Sequence, residues 1–466
     1  PVIHPYPERT HSNMNGPAER SPSPSEVGIP LFSRRTILAG AAMTAMGAAV
    51  ASCGGDDAAE ETTDTTAAPA ETGGETTDVG TVTLGGSFTD DVPTRAMQAV
   101  IDATGLDVTF NNVDRDSWVQ NFNTYLQQPD DVIGWYAGYR MRAFASKGVI
   151  GPITDVWAGV DGLSEGFKSA STGLDGEQYM IPFSFYPWGI FYRPSLFKEK
   201  GYEVPTKWAD FKALCEKMKA DGLIPIAASN DGKWQQMGWF DMINLRVNGY
   251  DFHISLMGGK ESWEDDRVKK AFATWKEVVP YYQPNFEART WQDAASALGK
   301  KEAGMYLLGG FVASSFDPTK DTEAQAILDE LDFFSFPEID PMHGQDAVEA
   351  PIDGWLMAKS PANEAGAKAL LGKLATADVQ SAYVAVNQGV LAANSKADTS
   401  GYTRLQLKSL EFVSSAKFIA QFLDRDTDPD FAATVMGPAI ADFLAGADID
   451  KVLKDVEAQK ATYTFE

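Results

Sequence analysis

Residues 81–136 read TVTLGGSFTDDVPTRAMQAVIDATGLDVTFNNVDRDSWVQNFNTYLQQPDDVIGWY. A short β-branched run at 81–84 predicts a strand, and 93–104 carries helical spacing that stops at Gly105. Residues 107–110 predict a second strand, 115–127 a second helix and 131–135 a third strand. This βαβαβ order implies an α/β fold with a parallel sheet covered by helices. Ligands in such folds bind at the carboxyl ends of the strands. Those loops are 87–90, with Phe88 and Asp90, 111–118, ending in Trp118, and 135–140, with Trp135, Tyr136 and Arg140.

Downstream, Met180-Ile-Pro182-Phe-Ser-Phe-Tyr186-Pro187-Trp188-Gly189-Ile-Phe-Tyr192 is extended, aromatic and carries two prolines. It reads as a strand leaving one lobe and entering another. Helical amphipathic stretches then dominate to Ala313. Strands are expected again at 333–337 and 351–358, and helices from Arg404 to the end. The body, 81–466, is too long for one core, so two lobes are expected.

Upstream, Ser33-Arg34-Arg35-Thr36-Ile37-Leu38 opens an uncharged, Ala-rich run that ends in Val50-Ala51-Ser52-Cys53. This looks like a twin-arginine export signal closed by a lipoprotein cleavage box, too short and too weakly apolar for a membrane span. Met14 reads as a start, with 1–13 as upstream read-through. On this reading 1–53 is the signal segment, and Cys53 carries lipid on the outer face of the cell membrane. The stretch 54–80 holds eight acidic residues and no basic ones. It is expected to be a disordered spacer.

The net charge of −26 argues against nucleic acid and against adhesion to anionic lipid. Residues 1–53 hold four Arg and three Glu, so their removal leaves −27. Cys215, in a helical pattern, reads as a structural thiol. Familiar catalytic signatures are absent, and His253 and His343 are the histidines of the body, too few for a metal cluster. Asp424-Arg-Asp426-Thr-Asp428 begins like a calcium loop, but Pro429 and Val435 occupy the glycine and glutamate positions. A solvated acidic turn is the better reading. No cofactor or metal is expected, and the chain is expected to act as a monomer.

What remains is aromatic. Trp118, Trp135, Tyr136, Tyr139, Tyr186, Trp188, Trp234, Trp239, Phe311 and Trp355 fall at expected loops, crossings or strand ends. Aromatic faces suit the apolar C–H faces of sugar rings, while neighbouring Asp, Asn, Gln and Arg take hydroxyls. Each aromatic alone is as readily ordinary packing; their joint placement carries the argument. Asp90 and Asp353, on facing loops, leave open a secreted glycoside hydrolase, which needs two carboxyls across a cleft. A phosphorylated ligand would need a basic cleft, with Arg140, Arg142 and Lys233 as the candidates.

Over about 81–465 the chain resembles the bacterial extracellular solute-binding proteins of the sugar-binding kind, which serve ABC importers. Gln128-Pro-Asp-Asp131-Val-Ile133, Lys147-Gly-Val-Ile-Gly-Pro-Ile153 and Tyr179-Met-Ile-Pro182 through Phe191-Tyr192-Arg193-Pro194-Ser195-Leu196-Phe197 are similar to that family's motifs. So are Gly201 to Phe211, Gly299 to Phe311, Asp353 to Lys359 and the helix at 363–374. The resemblance implies two α/β lobes, 81–184 plus 349–400 and 185–348 plus 401–466, joined by crossing strands around a ligand cleft. It implies hinge closure over a neutral mono- or oligosaccharide and delivery to ABC permease subunits. A polyol or a glycerophosphodiester is an alternative ligand. The positions of Trp135, Tyr186 and Phe311 stack on sugar in related proteins, and Arg140 lies near a residue that binds hydroxyls. Arg193 and Phe311 depart from the family's usual Asn and Trp.

Overall fold

The computed structural model describes residues 79–465. The expected signal segment, Cys53 and nearly all of the expected spacer lie outside the described residues. β1 (Val82–Gly86) leads through α1 (Asp91–Thr104) to β2 (Val108–Asn112), α2 (Arg115–Tyr125) and β3 (Val132–Tyr136). α3 (Tyr139–Ser146) and β4 (Ile150–Gly151) precede two successive strands, β5 (Met180–Phe185) and β6 (Trp188–Tyr192). Then come α4 (Trp208–Ala220), β7 (Ile224–Ala227), α5 (Met237–Asn248), α6 (Tyr250–Met257), α7 (Trp291–Gly299) and β8 (Ala303–Gly309). β9 (Asp332–Phe334), β10 (Ala347–Glu349), β11 (Ile352–Ala358), α8 (Glu364–Leu374), α9 (Ala377–Val386) and β12 (Leu391–Ala392) follow. α10 (Arg404–Ser415), β13 (Phe418–Ala420) and the short α11 (Leu423–Asp426) complete the elements needed here.

The opening βαβαβ unit is as expected. β1 lies parallel to both β2 and β3, with Leu84 opposite Phe110 on one side and Val132 on the other. The sheet as a whole is mixed. Its order is β12-β5-β11-β3-β1-β2, with β4 against β11. β11 runs antiparallel to both β3 and β5, so the purely parallel expectation is corrected there. α1 buries Val92, Ala96, Met97 and Val100 on one face and ends at Gly105, whose φ of 66° is the left-handed cap glycine supplies. The Asp131 carboxylate accepts from Thr83 N, Thr83 Oγ1 and Asn363 N, so it ties β1, β3 and the start of α8 together.

A second sheet, ordered β7-β8-β6-β9, is built on the middle of the chain. β7 and β8 lie in the stretch expected to be mainly helical. Every residue of β8 is buried, so it has no apolar–polar alternation to read. β13, within the tail expected to be helical, is three residues long and pairs in parallel with β10. Each main sheet is the floor of one lobe. α8 and α9 pack with the first sheet and α1 against both of them, while α4, α5 and α7 pack with the second. The chain passes between lobes at Tyr186-Pro187, where β5 ends in one sheet and β6 begins in the other. Cys215 is buried within α4, as expected of a structural thiol.

Candidate functional site

Strand ends from both sheets converge on one cavity of about 340 Å³. The first lobe contributes the loop after β1, the start of α2, the end of β3 and Asp353 and Trp355 of β11. The second contributes Trp234, the start of α7 and Phe311 after β8, while Tyr186 and Trp188 stand at the crossing. Of the residues expected at the site, Phe88, Asp90, Trp118, Trp135, Tyr136, Tyr186, Trp188, Trp234, Phe311, Asp353 and Trp355 all line this cavity.

Arg140 and Trp239 do not. Arg140 lies one layer back on α3, 3% exposed, with Nη1 donating to Asp424 at 2.9 Å. Its guanidinium rests 5.2 Å from the Trp135 ring and 5.1 Å from Tyr136. Trp239 is core: it faces into α5's packing against Phe211, Tyr282 and Phe336. Helical position cannot separate these roles, because both residues fall on fully buried helix faces.

The aromatic lining is graded. Phe88 stacks on Trp355 at 5.7 Å, and Trp355 itself is buried. Trp135 is 3% exposed, with one face covered by Phe122 at 3.4 Å, so it supplies little free surface. Phe311 is half-buried, held edge-on by Tyr186 at 5.1 Å and Trp291 at 5.2 Å. Arg115 lies 4.4 Å over the Trp234 ring, a cation–π arrangement.

Arg425 is the polar centre of the cavity. Its Nη1 donates to Asp353 Oδ1 at 2.9 Å and its Nη2 to Tyr186 Oη at 2.9 Å. The plane also lies 4.2 Å from the Tyr136 ring. Burial pushes Arg425 down, but Tyr186, Asp353, Asp424 and Tyr136 outweigh it and hold the guanidinium firmly charged. Burial raises the Asp353 carboxyl against the opposing pull of Arg425. Asp90 is raised by burial too, although it accepts from Gln292 Nε2 at 3.1 Å.

Arg425 was not legible as a site residue. Its segment reads as a solvated acidic turn; instead Asp424 and Arg425 are buried, and Asp428 caps the following turn by accepting from Asp430 N and Phe431 N. The basic residues of the cavity are therefore Arg115 and Arg425, not Arg140, Arg142 or Lys233. Arg115 had a signal, since it lies in the loop expected at a strand's carboxyl end. Gln292 has none, because the fully buried strand β8 that positions α7 carries no alternation to read.

Besides the Arg425–Asp353 pair, polar contacts at the rim of the cavity join the lobes. Gln292 meets Asp90, Arg95 forms a two-pronged pair with Asp317 at 2.7 and 2.9 Å, and Lys320 pairs with Asp91. Behind them the Gly310 and Gly389 backbones touch, close enough that a Cβ on Gly389 would lie 2.6 Å from Gly310 O.

The model of the family described as bacterial extracellular solute-binding protein matches residues 90–381. In structure the chain is similar to the bacterial solute receptor AcbH, with a TM-score of 0.79 and 38% identity, covering 82% of this chain and 98% of that one. In sequence it is 23% identical to an uncharacterized ABC transporter extracellular-binding protein of Pyrococcus horikoshii, over 71% of this chain and 73% of that protein. It is also 27% identical to a probable sugar-binding periplasmic protein of Mesorhizobium japonicum, over 41% of this chain and 47% of that protein. With the family model spanning more than half of its length, and with two sheets meeting at one cavity, the chain belongs to the bacterial extracellular solute-binding proteins.

Proposed function

We propose that the chain is a lipid-anchored receptor that captures one small neutral sugar and presents it to an ABC import permease. The observation that carries this reading is the cavity itself: small, shared between lobes, and lined by aromatic rings around the Arg425–Asp353–Tyr186 cluster. At about 340 Å³ it stands at the low end of ligand pockets, which run from about 300 to 1,000 Å³. That favours a monosaccharide over a long chain. AcbH, the receptor of 38% identity, is described as having an exclusive preference for β-D-galactopyranose. D-galactose is accordingly the first candidate.

The ligand groups of this reading are Phe88, Asp90, Trp118, Trp135, Tyr136, Tyr186, Trp188, Trp234, Phe311, Asp353 and Trp355, together with Arg115, Gln292 and Arg425. Asp90, Asp114, Asp116, Asp231, Asp353 and Asp424 face only Arg115 and Arg425 in the lining. Excess negative charge disfavours an anionic ligand, which weighs against a glycerophosphodiester. Asp353 is held by Arg425 in an ion pair, an arrangement suited to accepting sugar hydroxyls. We infer that the sugar is released unchanged rather than hydrolysed. The lobes are assigned as 81–184 plus 349–400 and 185–348 plus 401–466. Lipid at Cys53 and the acidic spacer would hold them outside the membrane as a monomer. Among the described residues no helix is long and apolar enough to cross a membrane.

A thermal-shift panel of monosaccharides, oligosaccharides, polyols and glycerophosphodiesters tests the reading. Stabilisation by a monosaccharide recovered chemically intact supports it. No response to any sugar, or release of a cleaved product, overturns it.

A further inference from the structure

Behind the cavity, outside its lining, two acidic side chains lie face to face in the interior. Asp241, on α5, and Glu349, the last residue of β10, are both 0% exposed. Asp241 Oδ1 and both Glu349 carboxyl oxygens meet no donor among the described residues, and the two carboxyls adjoin each other where α5 packs on β10. Two buried carboxylates cannot bond without a proton between them, and a buried unpaired charge is strongly unfavourable. One shared proton satisfies the contact.

The pair is placed where a change would reach the cavity. Asp241 Oδ2 accepts from Leu423 N at 2.7 Å, the first residue of α11, and α11 carries Asp424 and Arg425 into the cavity wall. Glu349 precedes Ala350-Pro351, the connection into β11, and β11 carries Asp353. We propose that Asp241 and Glu349 share a single proton and act as a positioning unit, holding α11 and therefore Arg425 in register with Asp353. Loss of that proton would place two like charges in contact and release Leu423 N.

Burial raises both carboxyls, and their mutual repulsion raises Glu349 further. The other groups facing them do not cancel this. From α6, His253 Nε2 lies 3.9 Å from Asp241 Oδ1, but burial lowers it to about 3, so it is neutral. From α11, Asp424 and Asp426 push Asp241 up, while Arg425 pulls Glu349 down. Burial lifts Asp426 itself to about 6, with Arg142 and Arg425 opposing. On α5, Arg246 is lowered by burial to about 10 and so remains charged, its Nη1 donating to Ala347 O at 2.8 Å. A carboxyl raised in the folded state contributes stability that is full below its unfolded value, about 4, and is lost as pH rises through the folded value.

The affinity arm of the test rests on the sugar-receptor reading; the stability arm does not. In the wild-type protein, D-galactose affinity followed by calorimetry is expected to weaken from neutral to alkaline pH, by at most about tenfold per pH unit for one proton. Asp241→Asn and Glu349→Gln, which replace the shared proton with an amide, are expected to bind at the neutral-pH strength and lose that slope. If no sugar binds, the functional reading fails, and the pair is judged on the pH dependence of unfolding alone. There both variants are expected to take up about one proton fewer on folding than wild type. Variants that track the wild type in pH slope overturn the shared proton, and so does an alkaline weakening that persists in Asp241→Asn. Should Asp241→Asn fail to fold, Glu349→Gln decides by the same readings.

Discussion

Phe311 and Trp239 show how far an aromatic residue's role depends on what covers it. Both were expected at the site, but only Phe311 presents a half-exposed ring to the cavity. Phe311→Ala is expected to weaken sugar binding by about 2 kcal/mol, roughly 30-fold in Kd, with little change in melting temperature. Trp239→Ala should do the reverse, lowering unfolding free energy by about 3–5 kcal/mol while the folded fraction binds normally. Calorimetry and denaturant melts on the same two variants separate these outcomes. The aromatic members of the site were legible because they cluster at strand ends and at the crossing. Arg425 was not, since a lone arginine between two aspartates looks like a solvated turn until packing buries it. Arg140 was legible as a cation near the site but not as the second layer that pairs with Asp424.

At the scale of elements, the opening βαβαβ unit could be read directly because its strands are short, its helices amphipathic and its breaks marked by Gly105 and by Pro129. β7 and β8 could not, because fully buried strands carry no alternation. The helix at α7 falls in the stretch expected to be helical, but without β8 nothing in the sequence places Gln292 at the site. The contact between the segment after β8 and the segment before β12 gives an element-scale test. Gly389→Ala would drive a Cβ into Gly310 O and to 2.8 Å from Phe311 Cα. The clash is with backbone from the opposite lobe, so the variant is expected to fold but to bind sugar at least tenfold more weakly. Unchanged affinity would show that the two segments need not touch in the bound state. The Arg95–Asp317 clasp makes a pH statement of known sign. Arg95 holds the Asp317 carboxyl down at about 2. Its contribution is therefore complete above the unfolded value of about 4 and is lost as pH falls towards 2. Arg95 is 41% exposed, so screening limits that contribution to at most about 1 kcal/mol. Asp317→Asn should show the same small loss of closed-state stability at neutral pH, read as a modest rise in Kd.

For the whole molecule, the proposed lobe bounds give chain crossings at Tyr186-Pro187, at Ala350-Pro351 and near residue 400, linking two lobes around a site that neither completes alone. A ligand contacting both lobes favours the closed state by the difference in its affinity for the two states. At a hundred times its Kd it should add about 2.7 kcal/mol to unfolding free energy. On the proposed reading, the cavity around Arg425 and Phe311 takes a single small neutral sugar. Titration calorimetry of the protein with D-galactose, run in parallel on Phe311→Ala, tests it most directly. One site per chain, saturable binding by the wild type and a Kd raised roughly 30-fold in the variant are expected. Absence of heat with galactose and every other monosaccharide, or binding that Phe311→Ala leaves untouched, would contradict it.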